Sequence, residues 1–268
     1  MMTYTFDRIA EVHEVAIRMP NWLGDNIMVI PAIAALKNVL NGAHFGCYCP
    51  ANIKPVWEMT GIFDEIVSYS KSFDALMKTI SFPLKSDIMF IFPNSFSSAF
   101  AAFFAKSKER IGYRGNGRDF FLTIPAGKRR GLHQVDEYYN LVSSEFPPEL
   151  LVPLIRITKS RDEIIELLAL HKFCEADRMM VAIAPGARWG KSKKWSSDSF
   201  KILAEKLVRA NYNVIVTGLE GEIEPMRECL SMDNVKFVTG SLDKIAYLFS
   251  LCKVAIGNDS GLMHLASA

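Results

Sequence analysis

The stretch Val254-Ala255-Ile256-Gly257-Asn258-Asp259-Ser260-Gly261-Leu262-Met263-His264-Leu265 decides how this chain is read. An apolar strand, a tight polar turn and a helix start follow one another within twelve residues. The free N–H groups of a helix's first turn, with the macrodipole behind them, favour a phosphate. A nucleotide or phosphate site is therefore expected at Asp259-Ser260-Gly261. His264 falls about one turn inside that helix, where a structural and a binding role are both open.

The rest of the chain repeats the strand-then-helix pattern. Strands are expected at Val15–Met19, Phe45–Cys49, Asp87–Phe92, Met179–Ala184, Val214–Thr217 and Val235–Val238. Helices are expected at Ile27–Leu40, Ser95–Ala105, Asp136–Phe146, Asp162–Leu170, Phe200–Arg209, Glu222–Leu230 and Leu242–Leu251. Pro31 should kink the first helix or mark its true start. The apolar run at Ser95–Ala105 reads as a buried helix, with a membrane-touching helix as the alternative. Strands alternating with helices imply an α/β fold with parallel sheets and crossover helices. Pro147-Pro148 and Pro153 interrupt the pattern. The break divides the chain into two Rossmann-like halves, residues 1–157 and 158–268, with a cleft expected between them.

Composition narrows the function classes. Of the 268 residues, 50% are hydrophobic and 22% charged, and the net charge is +2. That balance suits a globular core and gives no argument for nucleic acid. No apolar stretch reaches the roughly 20 residues of a membrane span, and no secretory leader pattern is visible. The five cysteines include no CxxC, so reduced, buried thiols in a cytoplasmic protein are expected. Cys47 and Cys49 point to one face of a strand, which favours packing over a metal pair.

Open parallel sheets bind ligands at the carboxyl ends of their strands, and the informative residues lie there. After strand one comes Asn21-Trp22-Leu23-Gly24-Asp25, where Asp25 is either a helix cap or a general base. After Ala184 comes Pro185-Gly186-Ala187-Arg188-Trp189-Gly190-Lys191-Ser192-Lys193-Lys194-Trp195. Its glycines and lysines offer a diphosphate the N–H groups and cation it needs, without the Walker A spacing. Ser197 or Asp198 should cap the next helix. After Thr217 comes Gly218-Leu219-Glu220-Gly221-Glu222. Glu222 there is either a ribose-binding carboxylate or an ordinary first-turn Glu.

Taken together, NWLGD (21–25), RIGY (110–113), HQVDEYYNL (133–141), PGARWGKSKKW (185–195) and NDSGLMHLASA (258–268) resemble family 9 of the glycosyltransferases, the lipopolysaccharide heptosyltransferases. The Pro-Gly-Ala loop is most similar to the heptosyltransferase II branch. The resemblance implies a GT-B architecture with an acceptor-binding N-terminal domain and a nucleotide-sugar-binding C-terminal one. It implies an inverting transfer of heptose from ADP-heptose, with no cofactor and no catalytic metal. The acceptor it implies is a lipid-linked saccharide, the inner core on lipid A. The enzyme would then sit at the cytoplasmic face of the inner membrane as a peripheral protein.

By position in the motifs, Asp25 becomes the base and Lys193 the cation on the leaving diphosphate. Gly186, Ala187, Arg188, Asp259, Ser260, Gly261 and His264 would complete the diphosphate site, and Glu222 would bind the ribose. Lys106, Lys108 and Lys128-Arg129-Arg130 are basic spots that could meet headgroups or acceptor phosphates, or be solvated loops. Members of the family continue past this histidine, so the C-terminal domain is expected to be incomplete, with an exposed sheet edge. A non-catalytic remnant of the fold and another GT-B nucleotide-sugar enzyme, such as an epimerase, are the competing readings.

Overall fold

The computed structural model describes residues 12–70, 72–81, 86–105, 107–142, 155–170, 173, 178–187, 194–227, 230 and 232–268. Two compact units, Met1–Ile155 and Arg156–Ala268, divide the chain.

The first unit is built on six parallel strands. These are β1 (Glu14–Arg18), β2 (His44–Pro50), β3 (Glu65–Tyr69), β4 (Ile88–Ile91), β5 (Glu109–Tyr113) and β6 (Ile124–Ala126), in the order β3-β2-β1-β4-β5-β6. Helices α1 (Leu23–Val39), α2 (Lys54–Thr60), α3 (Ser72–Ser81), α4 (Phe96–Phe104) and α5 (Gln134–Val142) complete it. In β1, Val15 to Arg18 is buried without a break, as expected of a central parallel strand covered on both faces. Ile17 lies level with Cys47 on one side and Phe90 on the other. Strand order reverses between β1 and β4, which makes the crevice beyond their carboxyl ends the unit's topological switch point.

The second unit runs α6 (Arg161–Leu167), β7 (Met180–Ala184), α7 (Ser197–Arg209), β8 (Asn213–Thr217), α8 (Glu220–Arg227), β9 (Val235–Val238), α9 (Leu242–Leu251), β10 (Val254–Gly257) and α10 (Gly261–Ser267). Its four strands are parallel in the order β10-β7-β8-β9, with the switch between β7 and β10. Ser160 opens α6 with a capping box: its hydroxyl accepts from Glu163 N while Glu163 accepts from Ser160 N. That pairing satisfies two donors that the first turn would leave open.

Several local expectations change. Helix α1 starts at Leu23, eight residues before Pro31, and runs through the proline. Its entry is fixed by Asn26, which is fully buried. The Asn26 amide donates to Pro20 O (2.9 Å) and Trp22 O (2.7 Å) and accepts from Trp57 Nε1 (2.8 Å). Helix α4 is buried on one face only. Ala99 and Ala102 face the sheet, while Phe96, Phe103 and Phe104 are about half exposed. Phe96, Phe100 and Phe103 meet Phe121 edge-on, and neighbouring Phe120 is 92% exposed. The α7 cap is Ser196, one residue before Ser197 and two before Asp198, the caps expected; it accepts from Ser199 N. The C-terminal part of the helix expected at Asp136–Phe146, and the proline break after it, lie outside the described residues. Among the described residues, no helix is long and apolar enough to cross a membrane.

Asp87 locks β1 to β4 at the amino end of the sheet. Its carboxylate accepts from His13 N (2.8 Å), Glu14 N (3.0 Å) and Lys108 Nζ (2.8 Å). Burial would raise its pKa, but the bonds from Lys108, His13 and Glu14 outweigh burial and hold the carboxyl below its usual value. Its stabilising contribution is therefore complete above the unfolded pKa of about 3.9. It disappears as pH falls through the lower folded value. Asp87→Asn should cost about 1–2 kcal/mol in urea unfolding at neutral pH. It should also flatten the loss of stability as pH falls below about 4.

Candidate functional site

In the second unit the site grows from the close approach of β7 and β10. The Gly257 backbone runs so near Ala184 that an added Cβ would lie 2.6 Å from Ala184 O. No other residue type fits there without moving one strand. Directly beyond, Asn258 is 7% exposed and uses its whole amide. Its Nδ2 donates to Pro185 O (2.7 Å) and its Oδ1 accepts from Trp195 N (2.9 Å). One side chain from β10's end thus fastens both ends of the loop after β7. The sequence reading assigned Asn258 no role. The Asn-Asp-Ser-Gly string could have drawn attention to it, but both its partners lie more than sixty positions away.

Glu222 is the third residue of α8, and its Oε2 accepts from Leu219 N (3.0 Å). The first-turn role is therefore filled. The same carboxylate rests on the loop after β7: a Cβ at Gly186 would fall 2.5 Å from the Glu222 carboxyl carbon. Gly186 and Glu222 are thus brought together at the carboxyl ends of β7 and β8. Thr217 Oγ1 and Ser260 Oγ are buried nearby in sequence to these turns, with no hydrogen-bond partner among the described residues.

The turn after β10 leads into α10, with Ser260 at the N-cap. Ser260 O accepts from Met263 N (3.1 Å) and His264 N (3.3 Å). Helix geometry leaves the earlier amides, Gly261 among them, without internal acceptors. Asp259 is exposed, while Ser260, Gly261, His264 and Ala187 are half-buried. Arg188 and Lys193 lie outside the described residues. Trp195 closes the loop edge-on against Phe200, with ring centroids 5.0 Å apart. A carboxylate beside glycine backbone, a buried hydroxyl and open helix amides suit a ribose followed by phosphates.

In the first unit Asp25 is not the helix cap. Trp22 holds that position, and Asp25 is the third residue of α1. Its Oδ1 accepts from Tyr138 Oη at 3.0 Å. The loop before it is held from the sheet side. Arg18 donates to Met19 O (3.2 Å) and to Tyr69 Oη, and Tyr69 Oη donates to Asn21 Oδ1 (3.2 Å). On the other side of the switch, fully buried Arg118 donates to Pro93 O and Ile91 O. Burial pushes its pKa down to about 10. The sequence reading passed over both arginines, because the Tyr69, Ile91 and Pro93 groups they serve lie 25 or more positions away.

Of the basic spots, Lys108 pairs with Asp87 and Lys128 with Glu137 (2.9 Å). Arg129 and Arg130 are exposed, and Lys106 lies outside the described residues. Cys47 and Cys49 are buried in β2. Burial, with the bond to Cys49, raises the Cys47 thiol well above its ordinary value. Among the described residues, no three His, Cys, Asp or Glu side chains converge as a metal site.

Comparison with known proteins bears on this geometry. Residues 84–268 match Glycosyltransferase family 9 (heptosyltransferase). Lipopolysaccharide heptosyltransferase 2 of Salmonella typhimurium is 26% identical, aligned over 93% of this chain and 78% of its own length. The protein of that name from Escherichia coli is also 26% identical, with the same coverage. Among solved structures, E. coli ADP-heptose LPS heptosyltransferase II superposes with a TM-score of 0.78 at 25% identity, covering 95% of this chain and 82% of that one. An E. coli heptosyltransferase solved with ADP-2-deoxy-2-fluoro heptose shares the fold at a TM-score of 0.74 and 14% identity, over 96% and 86% of the two chains.

The Asn258 bonds carry a direct expectation. Asn258→Ala leaves Pro185 O and Trp195 N without their partner and should lower unfolding stability by about 1–3 kcal/mol. Gly186→Ala should displace the Glu222 carboxylate; a crystal structure would show the Leu219 N bond broken.

Proposed function

The chain belongs to glycosyltransferase family 9 (heptosyltransferase) and is a glycosyltransferase, and on that premise we propose that it transfers heptose from ADP-heptose to the inner core of lipopolysaccharide. The proposed reaction inverts the anomeric centre in one in-line displacement and uses no metal. The observation that carries this reading is the switch point of the second unit. There Asn258, just before the Ser260-Gly261 turn, holds the loop that carries Gly186, and Glu222 rests on Gly186, a set of groups suited to a nucleoside diphosphate.

In this reading residues 158–268 hold the donor. Glu222 takes the ribose hydroxyls with the oxygen that Leu219 N does not use. Gly186, Ala187 and Gly261 offer backbone to the diphosphate. Asp259, Ser260, His264 and Arg188 complete its surroundings, and Lys193 neutralises it. Residues 1–157 hold the acceptor, and Asp25 takes the proton from the attacking hydroxyl. As the new glycosidic bond forms, the bond from the anomeric carbon to the β-phosphate oxygen breaks. The electron pair leaves on ADP, where the lysine and the amides stabilise the charge without a divalent ion.

The acceptor is lipid-linked, so the enzyme works as a peripheral protein at the cytoplasmic face of the inner membrane. Exposed Arg129 and Arg130 are suited to anionic headgroups or acceptor phosphates.

Two measurements test the reading. ADP should raise the melting temperature equally with and without Mg²⁺, and Lys193→Ala should abolish the rise. Absence of any shift in the unsubstituted protein would sink the nucleotide reading. Asp25→Asn should lower kcat by about 10²–10⁴-fold, the range for a lost general base, with ADP affinity retained. Full turnover by that variant would exclude Asp25 as the base.

A further inference from the structure

We propose that Tyr138 is a positioning residue for the transfer: its hydroxyl holds Oδ1 of Asp25 and turns Oδ2 toward the acceptor hydroxyl. The proposal rests on the reading of Asp25 as the base. A general base needs one oxygen aimed at the proton it removes, and a carboxylate on a helix's first turn rotates unless something holds it. Tyr138 supplies that hold across 113 positions of sequence, at 3.0 Å. Among the described residues, Asp25 receives no other hydrogen bond.

The tyrosine is itself fixed. It is 7% exposed, and its ring lies edge-on against Phe92, with centroids 5.5 Å apart at 82°. Phe92 follows β4, so the ring is referred to the sheet. Helix α5 is anchored where it carries Tyr138, because Tyr113 of β5 donates to Glu137 O. The Glu137 carboxylate is in turn held by Lys128 (2.9 Å) and Gln134 Nε2 (3.3 Å). A hydroxyl positioned by two elements and a ring stack is preorganised rather than induced.

Tyr138 also stays a donor. Burial, then the Asp25 charge and their hydrogen bond, raise its pKa well above the ordinary tyrosine value. The hydroxyl therefore keeps its proton through the neutral range. The titratable groups around this pair are Glu137 on α5 and Tyr113 on β5, both of which add to the Tyr138 shift. A hydrogen bond to an ionised acceptor favours the ionised form, so the strength of the Tyr138 donor should be read in the acidic limb of the rate profile.

The test is the pH profile of kcat/KM for heptose transfer, measured for the unsubstituted protein, Tyr138→Phe and the protein carrying 3,5-difluorotyrosine at 138. Tyr138→Phe should lower kcat by about three- to tenfold, leave the donor KM within about twofold and move the acidic limb upward. The fluorinated side chain is a stronger donor with nearly the same shape, so it should move the limb downward and keeps the test open if the Phe variant does not fold. An acidic limb that stays put in both, while Asp25→Asn is inactive, overturns the role of Tyr138 and leaves the base reading standing. Full activity of Asp25→Asn removes the base reading and this proposal with it.

Discussion

A parallel sheet sends the carboxyl end of every strand to the same edge, and this constraint governs the chain. Each crossover helix must return outside the sheet, so the turns after the strands crowd together at one edge. Where strand order reverses, the two neighbouring turns lead away on opposite sides and leave a crevice. The first unit does this at β1 and β4, the second at β7 and β10. Asp25 follows β1, Gly186 follows β7, Ser260 follows β10, and Glu222 follows β8.

Crowding turns at one edge creates a satisfaction problem, because their carbonyls and amides leave the ladder while still partly buried. Both units use a buried asparagine for it, and the first adds two arginines. In the first, Arg18 and Arg118 spread their donors over Met19, Ile91 and Pro93 carbonyls. A guanidinium offers five donors in a rigid fork, so one residue can serve several carbonyls. In the second, neutral Asn258 serves one carbonyl and one amide.

The sequence carried the architecture because the central strands are unbroken apolar runs, such as Met180–Ala184 and Ile88–Ile91. It was weakest at the periphery. β3 (Glu65–Tyr69), β5 (Glu109–Tyr113) and β6 (Ile124–Ala126) are half-buried or very short, and α2 has only seven residues. Their identity depends on neighbours already in place, which no local pattern reports. Pro31 does not mark the start of α1: the buried Asn26 amide holds the entry of the helix, and its partner Trp57 lies 31 residues on. At the candidate site, residues inside short motifs could be singled out. The pairs that orient them could not, because Gly186 meets Glu222 and Asp25 meets Tyr138 only through the fold.

The Asn258 fastening has an evolutionary consequence. The loop after β7 is held at Pro185 and Trp195 by a side chain that follows another strand, so these two attachments do not depend on the sequence between them. Within that interval Gly186 is tied to Glu222, while a change that spares Gly186 leaves both Asn258 bonds in place. Selection can therefore act on the interval beyond Gly186 while the two Asn258 attachments, and the sheet register they depend on, stay as they are.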